Sequence, residues 1–289
     1  MNLINYKEKL TVIVVTYHSS QIIENLINKI EKSIKILIIE NSLDHNLKEQ
    51  LEKKFNNVEV IIPHKNLGVG GAINLGFSKV KTKFSLHLSA DTDPDEDMIN
   101  ILLSHAEKIK NFSMLAPKIK NFEYKNNLYI EKNDNKKIHK MRYIIGAALL
   151  FNMNSLKKIG YFDENIFLYY EELDLYFRCL KLGFNIYMID DAKIVHHGSA
   201  SINKEFSYKI SLIRNWHYCW SKFYYFKKNF GYLYGIKKTI PNFIRALKKY
   251  ILCLIKGDKN SRLLHKAEIQ GLVTSYLLKK SSRRPDIKN

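Results

Sequence analysis

Residues 11–40 read TVIVVTYHSSQIIENLINKIEKSIKILIIE, and this stretch decides the fold. It opens with a continuous β-branched run, which is typical of a strand buried in a parallel sheet. Ser19 and Ser20 follow, and serine is a favoured helix N-cap. Apolar residues then recur at helical spacing: Ile22, Ile23, Leu26, Ile27 and Ile30. The closing IKILIIE predicts a second strand, so the stretch reads as strand, helix and strand.

The alternation continues downstream. The next segments are a helix (LKEQLEKKF), a third strand (VEVIIP), a glycine-rich turn into a helix (NLGVGGAINLGFSKV) and a fourth strand (FSLHLSA). Strands that alternate with helices predict an α/β protein with a doubly wound, mostly parallel central sheet and flanking helices. In such a sheet, functional groups gather beyond the carboxyl ends of the strands.

The pattern is less regular beyond residue 120. Asn121–Lys140 is polar and rich in Asn and Lys, so it predicts a loop. A strand (IIGAALLF), a turn at Gly160 and a helix over Glu171–Leu182 come next. FNIYMI and AKIVHH predict two further strands that complete the α/β part.

Charge divides the chain of 289 residues near residue 207. The net charge is +19, and residues 207–289 carry 19 Lys and Arg against three acids, whereas residues 1–206 are nearly neutral. We therefore predict an α/β domain over 1–206, with halves of about 1–95 and 96–206, and a basic helical extension over 207–289. Such asymmetry indicates an anionic partner for the extension: membrane lipid, nucleic acid or a polyanionic substrate.

The cysteines and the apolar runs bear on the compartment. Three widely spaced cysteines without a CxxC pair indicate a reducing environment rather than a disulfide framework or a thiolate metal site. No apolar run reaches the roughly 18–20 residues that span a bilayer, and no signal-peptide pattern is present. The expectation is a cytoplasmic protein.

Polar residues end the first two strands, and glycines follow the third. Thr16 and Tyr17 end the first strand, and Glu40 and Asn41 end the second, at positions that line the ligand crevice of an open α/β sheet or simply close the strands. GVGGAINLG, residues 68–76, offers close backbone approach to a ligand at a helix N-terminus. It lacks the GxGxxG spacing of dinucleotide-binding proteins, and a structural tight turn explains it equally well.

Asp91 and Asp93 follow the fourth strand in SADTDP. Two acids spaced i, i+2 at a strand end can both reach a cation that bridges a diphosphate. The alternative is a turn, because Asp-Thr-Asp-Pro is also good turn and N-cap sequence.

Glu171, Glu172 and Asp174 lie in the first turn of a predicted helix. The helix dipole favours acids there without any catalytic role. They follow an aromatic run, however, and a carboxylate beside apolar rings has the raised pKa that a general base needs. His196 and His197 end a strand, where neighbours face opposite ways, so only one can point into a site.

Together these segments resemble the family-2 glycosyltransferases with a GT-A fold, and most closely the bacterial rhamnosyltransferase-like branch. The resemblance covers about Thr11–Phe230. TVIVVTYHSS is similar to the family's first strand, IIENS to its second, and NLGVGGAINLGF to its N-x-G-x-x-x-x-N-x-G segment. Residues 146–201 carry the strongest likeness, with a "GG(F)DE"-like segment, an acid pair and a terminal His.

The resemblance implies inverting transfer from a nucleotide-diphosphate sugar, bound by the half 1–95, to an acceptor bound by the half 96–206. The implied donor contacts are Thr16, Tyr17, Glu40, Asn41, Asn66, Gly70 and Asp91. Mg²⁺ or Mn²⁺ would be held by the acids of SADTDP and by His196. Glu172, the second acid of the pair, would deprotonate the acceptor hydroxyl, with Glu171 as the runner-up.

The chain departs from the family pattern in three places. DTD could be the family's DxD motif, which would make Asp93 the principal metal ligand. SAD fits the register of the related triplets better, because of the spacing to the following DMI, and so Asp91 ranks first. The acid pair is Glu-Glu instead of the usual Glu-Asp or Asp-Asp, and Ser89 stands where relatives begin the triplet with Asn or Asp.

The extension combines basic and aromatic residues. Gly231, Gly235 and Pro241 are expected to break it into pieces. One predicted helix face is apolar, with the basic residues away from it: Phe243, Leu247, Tyr250, Ile251 and Leu254. A basic amphipathic helix predicts peripheral attachment to the anionic inner face of the cytoplasmic membrane; the alternative is a helix that packs on the catalytic body.

The leading interpretation is a membrane-associated glycosyltransferase that builds a bacterial surface polysaccharide or lipopolysaccharide. Its implied acceptor is lipid-linked or a glycan, and its donor is dTDP-L-rhamnose or else a UDP-hexose or UDP-N-acetylhexosamine. A nucleic-acid-binding protein is the disfavoured alternative, because no helix-turn-helix, RNP or zinc signature accompanies the basic charge. A nicotinamide-dependent oxidoreductase lacks its first-turn GxGxxG. A glycosyltransferase fold without catalysis and a homodimer both stay open.

Overall fold

The computed structural model describes residues 6–132, 137–198 and 207–285. The chain divides into two compact units. The described part of the first consists of 6–67, 71–162 and 175–198, and that of the second consists of 68–70, 163–174 and 207–285. The second unit therefore includes two short segments from the α/β part of the sequence. One is 68–70, at the start of the glycine-rich helix, and the other is 163–174, which contains the acids Glu171, Glu172 and Asp174.

The described residues form ten strands joined in one sheet. They are β1 (Leu10–Thr16), β2 (Lys35–Glu40), β3 (Val58–Ile61), β4 (Phe84–Ser89), β5 (Thr92–Pro94), β6 (Phe112–Ile119), β7 (Tyr129–Glu131), β8 (Ile138–Met141), β9 (Ala148–Asn152) and β10 (Asn185–His196). The order is β3-β2-β1-β4-β9-β6-β10-β8-β7, and β5 pairs with β10.

The sheet is parallel in its first half and mixed in its second. β3, β2, β1 and β4 pair in parallel, as the alternation of strands and helices predicts. β9 then lies antiparallel between β4 and β6. The described residues between β6 and β9 include no α-helix, and an antiparallel strand, unlike a parallel one, needs no helical crossover.

The helices are α1 (Tyr6–Lys9), α2 (Ser20–Asn28), α3 (His45–Lys54), α4 (Gly68–Phe77), α5 (Met98–Lys108), α6 (Met153–Ile159), α7 (Glu171–Lys181), α8 (Ser207–Phe230), α9 (Tyr232–Ile255) and α10 (Lys259–Tyr276). None in the described part of the chain is long and apolar enough to cross a bilayer.

Three sequence predictions differ from the structure. The polar segment 121–140 contains β7 and β8, which pair through alternating, partly buried residues; residues 133–136 lie outside the described part. FNIYMI and AKIVHH form a single strand, β10, with a register shift between Ile189 and Lys193. SADTDP is not only a turn, because Thr92–Pro94 pairs with β10.

Gly231 separates α8 from α9, but Gly235 and Pro241 lie inside α9 and do not end it. Close helix packing explains Gly235, since a Cβ there would lie 2.8 Å from the Phe223 ring of α8. Gly271 plays the same part on α10, where a Cβ would lie 2.3 Å from the Trp216 carbonyl oxygen. The two glycines let α9 and α10 pack directly on α8, around Trp216, Trp220 and Phe223, each at most 2% exposed.

Candidate functional site

Thr16 and Glu40 meet where β1 and β2 end. They are register partners in the parallel pair, and both are fully buried. Thr16 Oγ1 donates to Glu40 Oε2 at 2.5 Å, and the Ser42 backbone N–H donates to Glu40 Oε1 at 2.7 Å. The Ser42 hydroxyl also donates to that oxygen. Hydrogen bonds of this kind satisfy the buried carboxylate and fix both strand ends.

The other predicted donor-contacting residues of this edge lie on the connecting loops. Asn41 donates its backbone N–H to Thr16 O at 2.9 Å, and its Oδ1 accepts from Leu67 N at 3.2 Å. It therefore links the end of β2 to the segment before α4, next to half-buried Asn66. Tyr17 is half-buried, and its ring packs edge-on against His18. The carboxyl edge of the sheet thus presents a fixed polar rim.

Asp91 and His196 face each other. Asp91 follows β4 and His196 ends β10, and His196 Nε2 lies 3.4 Å from Asp91 Oδ1. The hydrogen bond that His196 donates to the Asp91 carboxylate raises the pKa of His196 against the opposing effect of partial burial. Burial pushes the pKa of Asp91 upward, but the interaction with His196 outweighs it, so that pKa lies below its usual value. The two side chains therefore form a charge-assisted pair.

Hydrogen bonds to backbone groups hold Asp91 and His196 in place. Asn121 Oδ1 accepts from His196 N at 3.1 Å, and Asn121 Nδ2 donates to His196 O at 2.8 Å. On the other side, the Thr92 hydroxyl donates to Ser89 O at 2.6 Å and closes the turn that carries Asp91. His197 N donates to Asp91 O at 3.0 Å, while the residue itself is exposed.

Asp93, the third predicted metal ligand, pairs elsewhere. Its carboxylate accepts from the Lys29 ammonium of α2. Both residues line a cavity of ≈ 400 Å³ together with Asp91 and His197. Within the described residues, no group of three His, Cys, Asp or Glu side chains could hold a metal ion. The structure thus pairs two of the three predicted ligands directly, Asp91 with His196, and the third, Asp93, lines the same cavity as Asp91.

One carboxylate and one imidazole nonetheless fit a six-coordinate divalent ion. Carboxylate oxygens suit Mg²⁺ and Mn²⁺, and imidazole is a common ligand of first-row metals. Two protein ligands leave coordination positions for the oxygens of a diphosphate. Asp91 and His196 are therefore a suitable pair for an ion that is completed by its substrate.

In the second unit, the acid pair divides into a buried and an accessible carboxyl group. Glu171 is 6% exposed, and its Oε2 has no hydrogen-bond partner among the described residues. Burial raises the pKa of Glu171 to about 7, against a smaller opposing effect of its own backbone N–H. Glu172 is half-buried. Of the two residues, Glu172 is the more accessible.

Helix α8 clamps the segment that carries these acids. The Lys228 ammonium lies 2.8 Å from Asp163 and 2.9 Å from Asp174, whose side chain is fully buried. Asn229 Nδ2 donates to Asp174 at 3.2 Å, and the Tyr224 hydroxyl donates to Asp163 at 3.0 Å. Asp174 therefore supports the start of α7 rather than facing a ligand. We call Asp163, Asp174, Tyr224, Lys228 and Asn229 the α8 clamp.

Two tyrosines directly before the acids have left-handed backbones. Tyr169 has φ 62° and Tyr170 has φ 67°, which is costly for bulky residues. Tyr170 packs against the rings of Tyr218, Tyr225 and Phe226 on α8. Aromatic packing thus helps hold the strained entry into the acidic turn.

The glycine-rich segment packs against the same region. Gly68 has φ 75°, and a Cβ there would lie 2.1 Å from Phe167 O. Val69 N donates to that oxygen at 3.3 Å, and Gly70 is buried in the first turn of α4. For Gly68, close packing against Phe167 is what requires glycine.

Sequence reasoning missed Asn121, Asn74 and the α8 clamp. Asn74 exchanges two hydrogen bonds with the Phe162 backbone, at 2.9 and 3.0 Å, so an Asn of the glycine-rich segment is a structural tie. Asn121 lay in a stretch that reads as a plain loop. Lys228 and Asn229 lay in a stretch whose composition suggested lipid contact, and no local signal pointed to acids more than fifty residues upstream.

A family model described as glycosyl transferase family 2 matches residues 11–160, slightly more than half of the chain. The chain belongs to glycosyl transferase family 2. The match contains β1, the carboxyl edge and Asp91. The protein is therefore a glycosyltransferase, as its motifs predict.

Two relatives carry glycan-building names. Low-salt glycan biosynthesis hexosyltransferase Agl10 of Haloferax volcanii is 22% identical over 231 residues, which cover 71% of this chain and 73% of the relative. A poly-beta-1,6-N-acetyl-D-glucosamine synthase of Staphylococcus epidermidis is 24% identical over 183 residues. These cover 55% of this chain but only 43% of the synthase, so the chain spans less than half of that relative's length.

Solved structures show the same fold at low identity. The mannosyltransferase PcManGT of Pyrobaculum calidifontis, in complex with GDP-Man and Mn²⁺, has a TM-score of 0.59 at 12% identity. The match covers 93% of the present chain and 87% of the mannosyltransferase. Residues 1–349 of S. aureus TarS, in complex with UDP-GlcNAc, have a TM-score of 0.53 at 14% identity. This match covers 94% of the present chain and 92% of the TarS chain. The chain has the predicted GT-A architecture with a helical C-terminal region.

Proposed function

We propose that this family-2 member is an inverting glycosyltransferase that moves a sugar from a nucleotide-diphosphate donor to a hydroxyl of a lipid-linked or polysaccharide acceptor. The observation that carries the proposal is the Asp91–His196 pair at the carboxyl edge of the sheet. Solved relatives of this fold have been captured with UDP-GlcNAc and with GDP-Man plus Mn²⁺, which supports a nucleotide-sugar donor and a divalent ion.

A UDP-hexose or UDP-N-acetylhexosamine is our preferred donor. The names of the relatives support it, since one is a hexosyltransferase and another makes an N-acetylglucosamine polymer. L-Rhamnose from dTDP-rhamnose, suggested by the likeness to the rhamnosyltransferase-like branch, is the competing donor. Surface polysaccharide or lipopolysaccharide is the proposed product class.

Each residue has a proposed task in the reaction. Tyr17 and Asn66, which are half-buried, position the nucleoside, and fully buried Thr16 fixes the end of β1 through its hydrogen bond to Glu40. Asp91 and His196 would hold Mg²⁺ or Mn²⁺. The ion, when bound, neutralises charge on the nucleotide diphosphate. Glu172 accepts the acceptor hydroxyl proton as that oxygen bonds to the anomeric carbon. The bond from this carbon to the diphosphate oxygen breaks, and the configuration inverts.

The difference in burial supports Glu172 over Glu171 as the base. Burial raises the pKa of Glu171 to about 7, which would suit a base, but at 6% exposure its carboxyl group is shielded from an incoming sugar. Glu172 is more accessible and has the same carboxyl chemistry. We therefore assign the general base to Glu172 and a supporting role to Glu171.

A thermal-shift panel tests the donor class. We expect a UDP-sugar to raise the melting temperature with Mn²⁺ and to do so much less without it, because ligands that bind only the folded state stabilise it. Asp91→Asn should remove this metal dependence, whereas Asp93→Asn should retain it. If no nucleotide sugar stabilises the protein in a metal-dependent way, the proposed function is wrong.

Glu172→Gln tests the base. A positioned general base contributes about 10²–10⁴-fold to rate, so the variant should lose transfer by that factor and still bind the donor. Turnover measured with saturating donor, alongside donor binding, separates the two effects. Glu171→Gln is the matched control and should lose far less; near-normal turnover of Glu172→Gln would reject the assignment.

We further propose that the enzyme works at the anionic inner face of the cytoplasmic membrane through residues 207–289. The strongly basic charge of this segment supports that location. A lipid-linked acceptor would be reached there without leaving the bilayer surface.

A further inference from the structure

Helix α9 has two opposite faces with different surroundings. Gly235, Thr239 and Ala246 are buried on one face. The opposite face carries large apolar side chains that are all exposed: Ile240 (38%), Ile244 (48%), Leu247 (41%), Ile251 (48%) and Ile255 (78%). Their spacing of four, three, four and four residues places them in one stripe along the helix. We call these five residues the outer stripe.

The outer stripe is not the face that sequence periodicity indicates. Phe243 belongs to the predicted face, but it packs against the cluster of Cys219, Phe223 and Leu272. Leu247 and Ile251 are shared by both faces and are exposed. Because α9 packs on α8 and α10 through Phe243, the exposed apolar face includes Ile240, Ile244 and Ile255 instead of Phe243.

A row of exposed isoleucines needs an explanation, because soluble proteins rarely leave a large contiguous apolar patch in water. Leu233, Leu252 and Leu254, at 82%, 53% and 47% exposure, extend the patch. A surface of this kind marks an interaction site.

The charges beside the stripe favour one kind of partner. Lys237, Lys238, Arg245, Lys248 and Lys249 of α9 are all exposed, and so is Lys256 directly after the helix. The sequence holds no Asp or Glu from Ser207 to Gly257. Arg245 reaches Glu268 of α10 at 3.5 Å. The remaining five cations lie along one side of the apolar stripe, and a basic side next to an apolar face is the pattern of helices that lie in the surface of an anionic bilayer.

We propose that the outer stripe of α9 lies in the headgroup region of an anionic bilayer, with its isoleucines toward the acyl chains and its lysines on lipid phosphates. A second copy of the chain fits less well, because two such surfaces would bring uncompensated lysines together. This inference rests on the proposed membrane location and narrows it to one face of one helix.

Vesicle co-sedimentation of the full chain tests it. Vesicles of phosphatidylcholine mixed with phosphatidylglycerol should bind the protein, and phosphatidylcholine alone should bind it much less. The double variant Ile244→Glu and Ile251→Glu should weaken binding to the mixed vesicles by about tenfold or more, since it places charge in the inserted face. Leu182→Glu is the matched control: Leu182, next to the end of α7, is 56% exposed and should tolerate the same change.

Three results would overturn the proposal: equal binding to both kinds of vesicle, unchanged binding of the double variant, or an equal loss in Leu182→Glu. A second copy would be the partner of the stripe if the protein bound no vesicles and light scattering showed a dimer that the double variant converts to a monomer. Circular dichroism checks that each variant is folded. Transfer to a soluble acceptor without vesicles tests the proposed function separately, so the two failures can be told apart.

Discussion

Helices α8 and α9 look alike in sequence and differ in their surroundings. Each has 24 residues, each lacks acids, and each mixes Lys or Arg with aromatic and aliphatic residues. In α8 the largest apolar side chains are buried, including Trp216, Trp220 and Phe223. In α9 the isoleucines of the outer stripe are exposed. Composition alone therefore does not show which of two basic helices faces water or lipid.

The polar contacts of the two helices differ in the same way. In α8, Lys228 donates hydrogen bonds to Asp163 and Asp174, and Asn229 donates one to Asp174. Ser221 of the same helix donates to Leu168 O at 2.8 Å. The helix therefore supports the turn that carries the proposed base. α9 directs most of its cations away from the protein. Helix α8 thus supports the acidic turn, whereas the apolar stripe of α9 is exposed.

The largest expected effect compares one apolar residue from each helix. Phe223→Ala in α8 should lower the free energy of unfolding by roughly 3–5 kcal/mol, because it empties a fully buried site. Ile244→Ala in α9 should change it by no more than about 0.5 kcal/mol, since the side chain is already half in water. Urea denaturation of both variants without lipid makes the measurement.

Equal losses in the free energy of unfolding for Phe223→Ala and Ile244→Ala would contradict the difference in burial between α8 and α9. A cost of several kcal/mol at Ile244 would mean that the outer stripe is covered within the folded protein. The proposal of a free lipid-binding face would then lose its basis.

A smaller effect is expected from the α8 clamp. Removing one partner of a buried ion pair costs roughly 3–5 kcal/mol, and partial exposure of Lys228 reduces the expectation for Lys228→Met to about 2 kcal/mol. Lys227→Met is the matched control, and denaturation of both variants measures the difference. A loss of stability in Lys227→Met equal to that in Lys228→Met would contradict the clamp.

The clamp also predicts a kinetic signature. If Lys228 positions the acidic turn, kcat of Lys228→Met should fall more than KM for the donor changes, and Lys228→Arg should restore much of it. A variant that is only less stable would recover full kcat at low temperature. Steady-state kinetics at a temperature where both variants are folded separate these outcomes.

How much of the fold could be predicted depends on the range of the interactions. The β1–α2–β2 unit follows from β-branched runs and helical spacing, which are local signals. β7 and β8 were missed because their pairing partners, not their polar composition, make them strands. Gly235 and Pro241 were expected to break a helix, but both lie inside α9, and at Gly235 close packing against Phe223 overrides the local propensity.

The candidate site divides along the same line. Each proposed site residue could be named from motifs, because family resemblance preserves their order along the chain. The partners of those residues could not: Asn121 is 75 residues from His196, and Lys228 is 54 from Asp174. Long-range contacts of this kind leave no pattern in a single sequence. The motifs ranked Glu172 above Glu171 by its place in the acid pair, but they did not show that the two residues differ in burial.

The last expected effect, which is the smallest when measured over a single pH unit, is the pH dependence of the turn that α8 supports. Burial raises the pKa of Glu171 to about 7 in the folded protein, from 4.5, so the fold favours its protonated form. The resulting stabilisation is complete below the unfolded pKa and is lost as pH rises through about 7. The free energy of unfolding of the wild type, relative to Glu171→Gln, should therefore fall from about pH 5 to about pH 8, on the order of 1 kcal/mol per pH unit.

Asp163 supplies a control of opposite sign from the same turn. Burial pushes its pKa upward, but hydrogen bonds from Lys228 and Asn165 outweigh this, so its pKa lies below the ordinary value. Its contribution is present above the unfolded pKa and is lost as pH falls through the lower folded value. Relative to Asp163→Asn, the wild type should thus lose stability only below about pH 4. A flat difference for Glu171→Gln across the neutral range would mean that the Glu171 carboxyl group is hydrated, and burial would then no longer favour Glu172 over Glu171 as the base.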